Sequence, residues 1–214
     1  MYDAILFDFD GVLVESMDVK IDAFRRLYAP HGAAVADRAV AHYVSHTGIN
    51  RGIRIRACHR TLLGRELTDA EVEALSGRFG ALVEDRVVTC PWVPGARALL
   101  ERWDRTLPLF VVSATPAAEL ARILDRRDMT RYFVAAHGSP PDKTTVIGRI
   151  LEAHAWTPER VLMVGDGLAD QRAAAAHGVS FVGRLHRGHP NPFPPETTTV
   201  DDLTALHVQP ATAD

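Results

Sequence analysis

Cysteine is nearly missing: Cys58 and Cys90 are the only two in 214 residues, and they form no CxxC pair. That excludes a disulfide-stapled scaffold and a cysteine-based zinc centre, and a reduced, cytoplasmic setting is expected. Long apolar runs are also missing. Charges, Gly or Pro interrupt every stretch well short of the roughly 18 residues a membrane-spanning helix needs, and no basic segment precedes the first apolar run, so no leader peptide is expected. The formal net charge is only −3, with no block of like charges, which removes the electrostatic footprint of a nucleic-acid or anionic-membrane binder. Lysine is scarce as well: Lys20 and Lys143 are the only two among 24 basic residues. Against that arginine excess each lysine stands out.

What is present is a globular composition, 47% apolar and 24% charged, on a chain long enough to bury a core without a metal or disulfide staple. Short apolar runs at Ala4–Phe7, Leu109–Val112, Phe133–Ala136, Val161–Val164 and Val179–Val182 read as five buried strands. From the second onward, helix-length stretches separate them: Ala117–Arg127, Thr144–His154 and Ala169–His177. Thr115-Pro116 and Thr157-Pro158 read as cap-then-proline helix starts. Strand and helix in alternation predict an α/β fold with a doubly wound parallel sheet. Between the first and second strands the chain carries helical periodicity throughout, far longer than an ordinary connection. An inserted α-helical domain over residues 16–90 is therefore expected, with helices near Asp18–Tyr28, Asp37–Ser45, Gly52–Leu63 and Asp69–Val87. The core then comprises residues 1–15 and 91–206, re-entered through Pro91-Trp92-Val93-Pro94-Gly95 and the helix Ala96–Trp103, with 207–214 as a polar tail.

In an open parallel sheet, ligands bind beyond the carboxyl ends of the strands, near the point where strand order reverses. The first strand ends in Asp8 and Asp10, the second in Ser113-Ala114-Thr115, and the fourth in Gly165-Asp166-Gly167 with Asp170 close behind. Singly, such residues are turn formers and helix caps. Together they bring four carboxylates to one edge, where mutual repulsion would keep one protonated unless a cation sits among them. Oxygen donors without a His or Cys cluster suit Mg²⁺.

Phe7-Asp8-Phe9-Asp10-Gly11-Val12-Leu13-Val14-Glu15-Ser16 resembles the first motif of the haloacid dehalogenase-like hydrolase superfamily. Val111-Val112-Ser113 resembles the second, Lys143 within Gly138–Lys143 the third, and Gly165-Asp166-Gly167-Leu168-Ala169-Asp170 the fourth. The long helical insertion after the first motif is similar to the cap of the phosphoglycolate phosphatase and β-phosphoglucomutase branch. The resemblance implies a Rossmann-like core with an inserted cap. It also implies Asp8 as nucleophile, forming an aspartyl-phosphate, and Asp10 as general acid and then base. Mg²⁺ would be held by Asp8, Asp166, the Asp10 main-chain carbonyl and Asp170, the last holding a water on the metal or orienting Lys143. Ser113, Ala114 and Lys143 would cradle the phosphate. Asp10 argues against dehalogenase and phosphonate-cleaving branches, and Glu15 stands where Asp is frequent.

The cap of this branch closes over the site and reads the leaving group. His46-Thr47-Gly48-Ile49-Asn50-Arg51 resembles its reaching loop, with Asn50 and Arg51 as candidate substrate contacts and Arg54 and His46 less favoured. His186, Arg187 and His189 read as solvated loop residues. The expected activity is Mg²⁺-dependent hydrolysis of a small phosphorylated metabolite, a sugar phosphate or short phosphorylated acid, by a monomer or homodimer. A phosphomutase and a catalytically idle phospho-ligand module are the alternatives.

Overall fold

The computed structural model describes residues 1–45 and 49–210. The chain begins with β1 (Ala4–Phe7) and then leaves the sheet for four helices: α1 (Met17–Tyr28), α2 (Ala33–Ser45), α3 (Arg51–Leu63) and α4 (Asp69–Thr89). It returns through α5 (Ala96–Trp103), β2 (Leu109–Pro116), α6 (Ala117–Arg126), β3 (Ala135–Ser139), α7 (Lys143–His154), β4 (Val161–Gly165), α8 (Leu168–Ala175), β5 (Ser180–Arg184) and β6 (Thr199–Val200). The strands form one parallel sheet in the order β3-β2-β1-β4-β5-β6. Chain order therefore reverses at β1, between β2 and β4, and that is where a doubly wound sheet opens its ligand crevice. All four residues of β1 and all five of β4 are buried, as strands covered by helices on both faces require.

The helical insertion packs around α1, whose buried residues Lys20, Ala23, Phe24, Leu27 and Tyr28 repeat at the spacing of one helix face. Phe24 meets Tyr43 of α2 and Phe79 of α4 at ring-centroid distances of 5.1 and 6.0 Å. A capping box between Thr68 and Glu71 starts α4. The two passages between core and insertion run side by side: Glu15 N–H donates to Pro91 O at 2.9 Å, and Val93 N–H to Leu13 O at 3.1 Å. No helix among the described residues is long and apolar enough to cross a membrane.

Several elements differ from expectation. β3 is displaced to Ala135–Ser139 because it is an edge strand that needs no doubly buried run, and Val134 is left exposed. β6, with two residues, is too short for a periodic signal. Thr157-Pro158 opens only a 3₁₀ turn, Pro158–Arg160, that runs straight into β4. Pro116 closes β2 and caps α6 rather than occupying its first turn. Residues 207–210, expected within a polar tail, lie against the start of the chain: Tyr2 N–H donates to Gln209 O at 2.8 Å and Val208 is buried.

Candidate active site

Asp8 follows β1 directly and Asp166 follows β4 directly, so the pairing of these two strands sets the two carboxylates side by side. Asp170 joins them from the first turn of α8, where its Oδ2 accepts the Gly167 N–H at 3.0 Å. One oxygen from each of Asp8, Asp166 and Asp170 lies within 4.8 Å of the others, and all three residues are buried. Lys143 enters from the first position of α7, which Asp142 starts by accepting the Thr145 N–H at 2.8 Å. Its Nζ lies 2.9 Å from Asp8 Oδ1 and forms an ion pair with Asp170.

Three buried carboxylates face one ammonium, and the electrostatics register the deficit. Burial pushes Asp8 up to about 8; Lys143 opposes this, while Asp170, Asp166 and Asp10 add to it. Asp170 is raised as well, by burial and then by Asp166 against the pull of Lys143. For Lys143, burial works against the ammonium, but Asp170 and Asp8 outweigh it and keep it charged. An all-oxygen donor set carrying surplus negative charge fits a hard divalent cation. The residues present therefore suit the metal that the motifs imply.

Asp10 turns away from this cluster. Its Oδ1 accepts from Ser16 Oγ at 2.6 Å, its Oδ2 from Thr115 Oγ1 at 2.7 Å, and Lys20 of α1 pairs with it. Burial alone would raise Asp10, but the Lys20 ammonium and the donors from Lys20, Ser16 and Thr115 hold it below the usual carboxylate range. Its side chain is thus not among the clustered carboxylates, although sequence placed all four acids at one edge. Ser113 is buried in the C-terminal half of β2 with its Oγ accepting the Thr115 N–H at 3.1 Å. Ala114 lies between them, beside the cleft.

A cleft lies between the sheet's carboxyl edge and the cap, and Lys20, Phe24, Tyr43, Arg51, Arg54 and Phe79 form its cap side. Arg54 lies over the Tyr43 ring at 3.8 Å. The two expected substrate contacts are otherwise engaged. Arg51 binds Glu119 of α6 through both terminal nitrogens, at 2.8 and 2.6 Å, and rests 4.6 Å over Phe79. Asn50 caps α3 by accepting the Gly52 N–H at 2.8 Å and donates to Ser139 Oγ at 2.5 Å. Both residues fasten cap to core. His46, Thr47 and Gly48 of the reaching loop lie outside the described residues.

The expectation for His186 is corrected. Its side chain is 13% exposed, and Nε2 lies 2.7 Å from Asp166 Oδ2. Arg187 and His189 are exposed, as expected. Lys20 and Glu119 were also missed as site residues. The scarcity of lysine was the available signal for Lys20; Glu119 has none, because its partner is 68 residues away.

The family model of haloacid dehalogenase-like hydrolases matches residues 2–178. A phosphoglycolate phosphatase of Pseudomonas putida is 29% identical over 215 residues, covering 94% of this chain and 77% of its own. Among solved structures, a hydrolase from Pseudomonas syringae superposes with a TM-score of 0.78 at 19% identity, covering 94% of each chain. A β-phosphoglucomutase from Clostridium difficile superposes at 0.74 with 16% identity, covering 97% of this chain and 94% of its own. Motif order, the reversal of strand order beside Asp8 and Asp166, the inserted helical cap and these likenesses agree, and the chain belongs to the haloacid dehalogenase-like hydrolase family.

Proposed function

We propose that this protein is a Mg²⁺-dependent phosphomonoesterase acting on a small phosphorylated metabolite. The observation that carries the reading is the buried Asp8 carboxylate held 2.9 Å from Lys143 within a three-carboxylate cluster. The residue after Asp8 fixes one oxygen: Phe9 N–H donates to Oδ1 at 2.7 Å, on the same atom that Lys143 approaches. Asp8 attacks phosphorus in line, the bond to the ester oxygen breaks, and the leaving alkoxide takes a proton from Asp10. Asp10 must first be freed from the Lys20, Ser16 and Thr115 contacts that favour its ionised form and bind a proton from solvent. Water then attacks the aspartyl-phosphate as Asp10 takes its proton, releasing inorganic phosphate and restoring Asp8. Ser113 and Lys143 neutralise the transferring oxygens, and Asp170 orients Lys143. Asp8, Asp166 and the Asp10 main-chain carbonyl would hold Mg²⁺, which would supply further positive charge at the phosphoryl group.

On the cap side of the cleft Lys20 and Arg51 are paired with Asp10 and Glu119, while Arg54 lies over the Tyr43 ring and brings a guanidinium that suits a substrate with a second anionic group. A short phosphorylated acid fits that character, in line with the phosphoglycolate phosphatases among the relatives. The test is phosphate release from a panel containing phosphoglycolate, sugar phosphates and nucleoside monophosphates, with and without Mg²⁺, beside Asp8→Asn. Metal-dependent release that vanishes in Asp8→Asn is expected. No release from any member by folded protein, or release that survives Asp8→Asn, would overturn the reading; turnover only with a catalytic trace of sugar bisphosphate would replace it with a mutase.

A further inference from the structure

The loop after β5 brings an imidazole to the carboxylate cluster. His186 Nδ1 lies 2.6 Å from Arg184 NH1, and its Nε2 lies 2.7 Å from Asp166 Oδ2. A guanidinium has only donors. Nδ1 must therefore be the lone-pair nitrogen, and the ring proton sits on Nε2, donated to Asp166. The guanidinium that imposes this tautomer is itself immobilised. Arg184 is buried, and it donates to Asp201 O at 3.1 Å, Gly11 O at 3.2 Å and Glu15 Oε1 at 2.6 Å. Glu15, the departure from the usual first motif, thus begins a chain Glu15–Arg184–His186–Asp166. Gly11, at φ +76°, leaves the room: a Cβ there would run into Asp166 Oδ2 and come within 2.7 Å of His186 Cε1.

We infer that His186 is a positioning residue for the metal centre, donating its Nε2–H to Asp166 Oδ2 so that the Asp166 carboxylate is held in the orientation that receives the divalent cation. The inference rests on the reading of Asp166 as a metal ligand. His186 stands outside the group of ligand atoms that lie within 4.8 Å of one another, which comprises Asp8, Asp166 and Asp170. Its place is therefore behind a ligand rather than beside it. Outer hydrogen bonds of this kind fix ligand orientation, and their loss typically weakens metal binding by about 10- to 100-fold.

The test uses Mn²⁺ alone, titrated by electron paramagnetic resonance in the absence of substrate. His186→Leu, which removes the donor, is expected to weaken Mn²⁺ binding by about 10- to 100-fold. His186→Gln, whose side-chain amide keeps a donor near the Nε2 position, should stay much closer to the unchanged protein. Equal losses in the two variants, or no loss in a folded His186→Leu, would overturn the inference. A direct ¹⁴N coupling from His186 to bound Mn²⁺ would also overturn it by making the ring a ligand. Should His186→Leu not fold, ¹⁵N-histidine spectra of the unchanged protein decide, with the His186 signal assigned from its absence in His186→Gln. An Nε2–H tautomer whose shift responds to Mg²⁺ supports the inference, and an Nδ1–H tautomer refutes it. Failure of the unchanged protein to bind Mn²⁺ would instead overturn the metal reading beneath it.

Discussion

Metal-free protein should lose stability as pH rises through the neutral range, and Asp8 should be the cause. Unfolded, Asp8 titrates near 3.8; folded without metal, it titrates near 8, because burial opposes its charge and Asp170, Asp166 and Asp10 add to that opposition more than Lys143 relieves it. Between those values the native state keeps a proton that the unfolded state has released, so stability falls with rising pH across that window. One pKa unit is about 1.4 kcal/mol, and a shift from 3.8 to about 8 makes the fall on the order of 6 kcal/mol, shared with Asp170. That is comparable to the whole stability of a domain, roughly 5–15 kcal/mol. The neighbours do not blur the window. Asp10 lies below its ordinary value, so its contribution is lost only as pH falls below about 4. Lys143 lies above its ordinary value, and its contribution persists until about pH 10.

The assay is urea unfolding at intervals from pH 4.5 to 8.5, in a chelator and again in saturating Mg²⁺. In chelator, Asp8→Asn should match the unchanged protein near the acid end and exceed it by a few kcal/mol at the alkaline end. In Mg²⁺ the advantage should vanish, because ligand binding to the native state adds RT ln(1 + [L]/Kd) only where the carboxylate remains. A flat profile for the chelated unchanged protein, or an Asp8→Asn variant that is less stable than it at pH 8, would refute the electrostatic account.

Lys20→Met should raise the pKa of Asp10 by about 1–3 units, the size of effect expected from removing an adjacent opposite charge; carbon-detected titration of the carboxyl reads it, and an unmoved pKa would show that Ser16 and Thr115 suffice. Glu119→Gln leaves the Arg51 guanidinium poorly compensated between cap and core, where both side chains are at most 10% exposed. A cost of about 3 kcal/mol is expected from urea midpoints, and a loss under about 0.5 kcal/mol, the range of ordinary surface changes, would mean the pair adds nothing. Gly11→Ala forces a side chain onto Asp166 Oδ2 at φ +76°, so a folded variant should bind Mn²⁺ at least about tenfold more weakly, as displaced ligands and their supports do.

How much of this was legible in the sequence depended on whether burial or distance decided the matter. β1 and β4 are central, covered on both faces, and their unbroken apolar runs could mean little else. β3 lies at the edge and β6 is two residues long, so neither is constrained to show a clear pattern. Asp8, Asp166 and Lys143 stand at strand ends or helix starts, where residue type and local position already imply one another. Asn50 and Arg51 were visible as polar residues beginning a cap helix, but their engagement with Ser139 and Glu119 depends on how the cap sits on the core, which local spacing does not encode.

His186 marks the sharper lesson, because the reasoning that found Asp166 also covers it. β5 pairs with β4 in register, Val164 opposite Val182 and Gly165 opposite Gly183. Asp166 is one residue beyond Gly165 and His186 three beyond Gly183, so both emerge over the same carboxyl edge. A histidine in a proline-rich loop is ordinarily solvated, and exposed His189 obeys that rule. The rule fails at His186 because buried Arg184, the last residue of β5, presents donors to the ring from one side while Asp166 accepts from the other. A loop residue just past a strand end should therefore be judged by what ends the neighbouring strand before it is judged by the composition of its own loop.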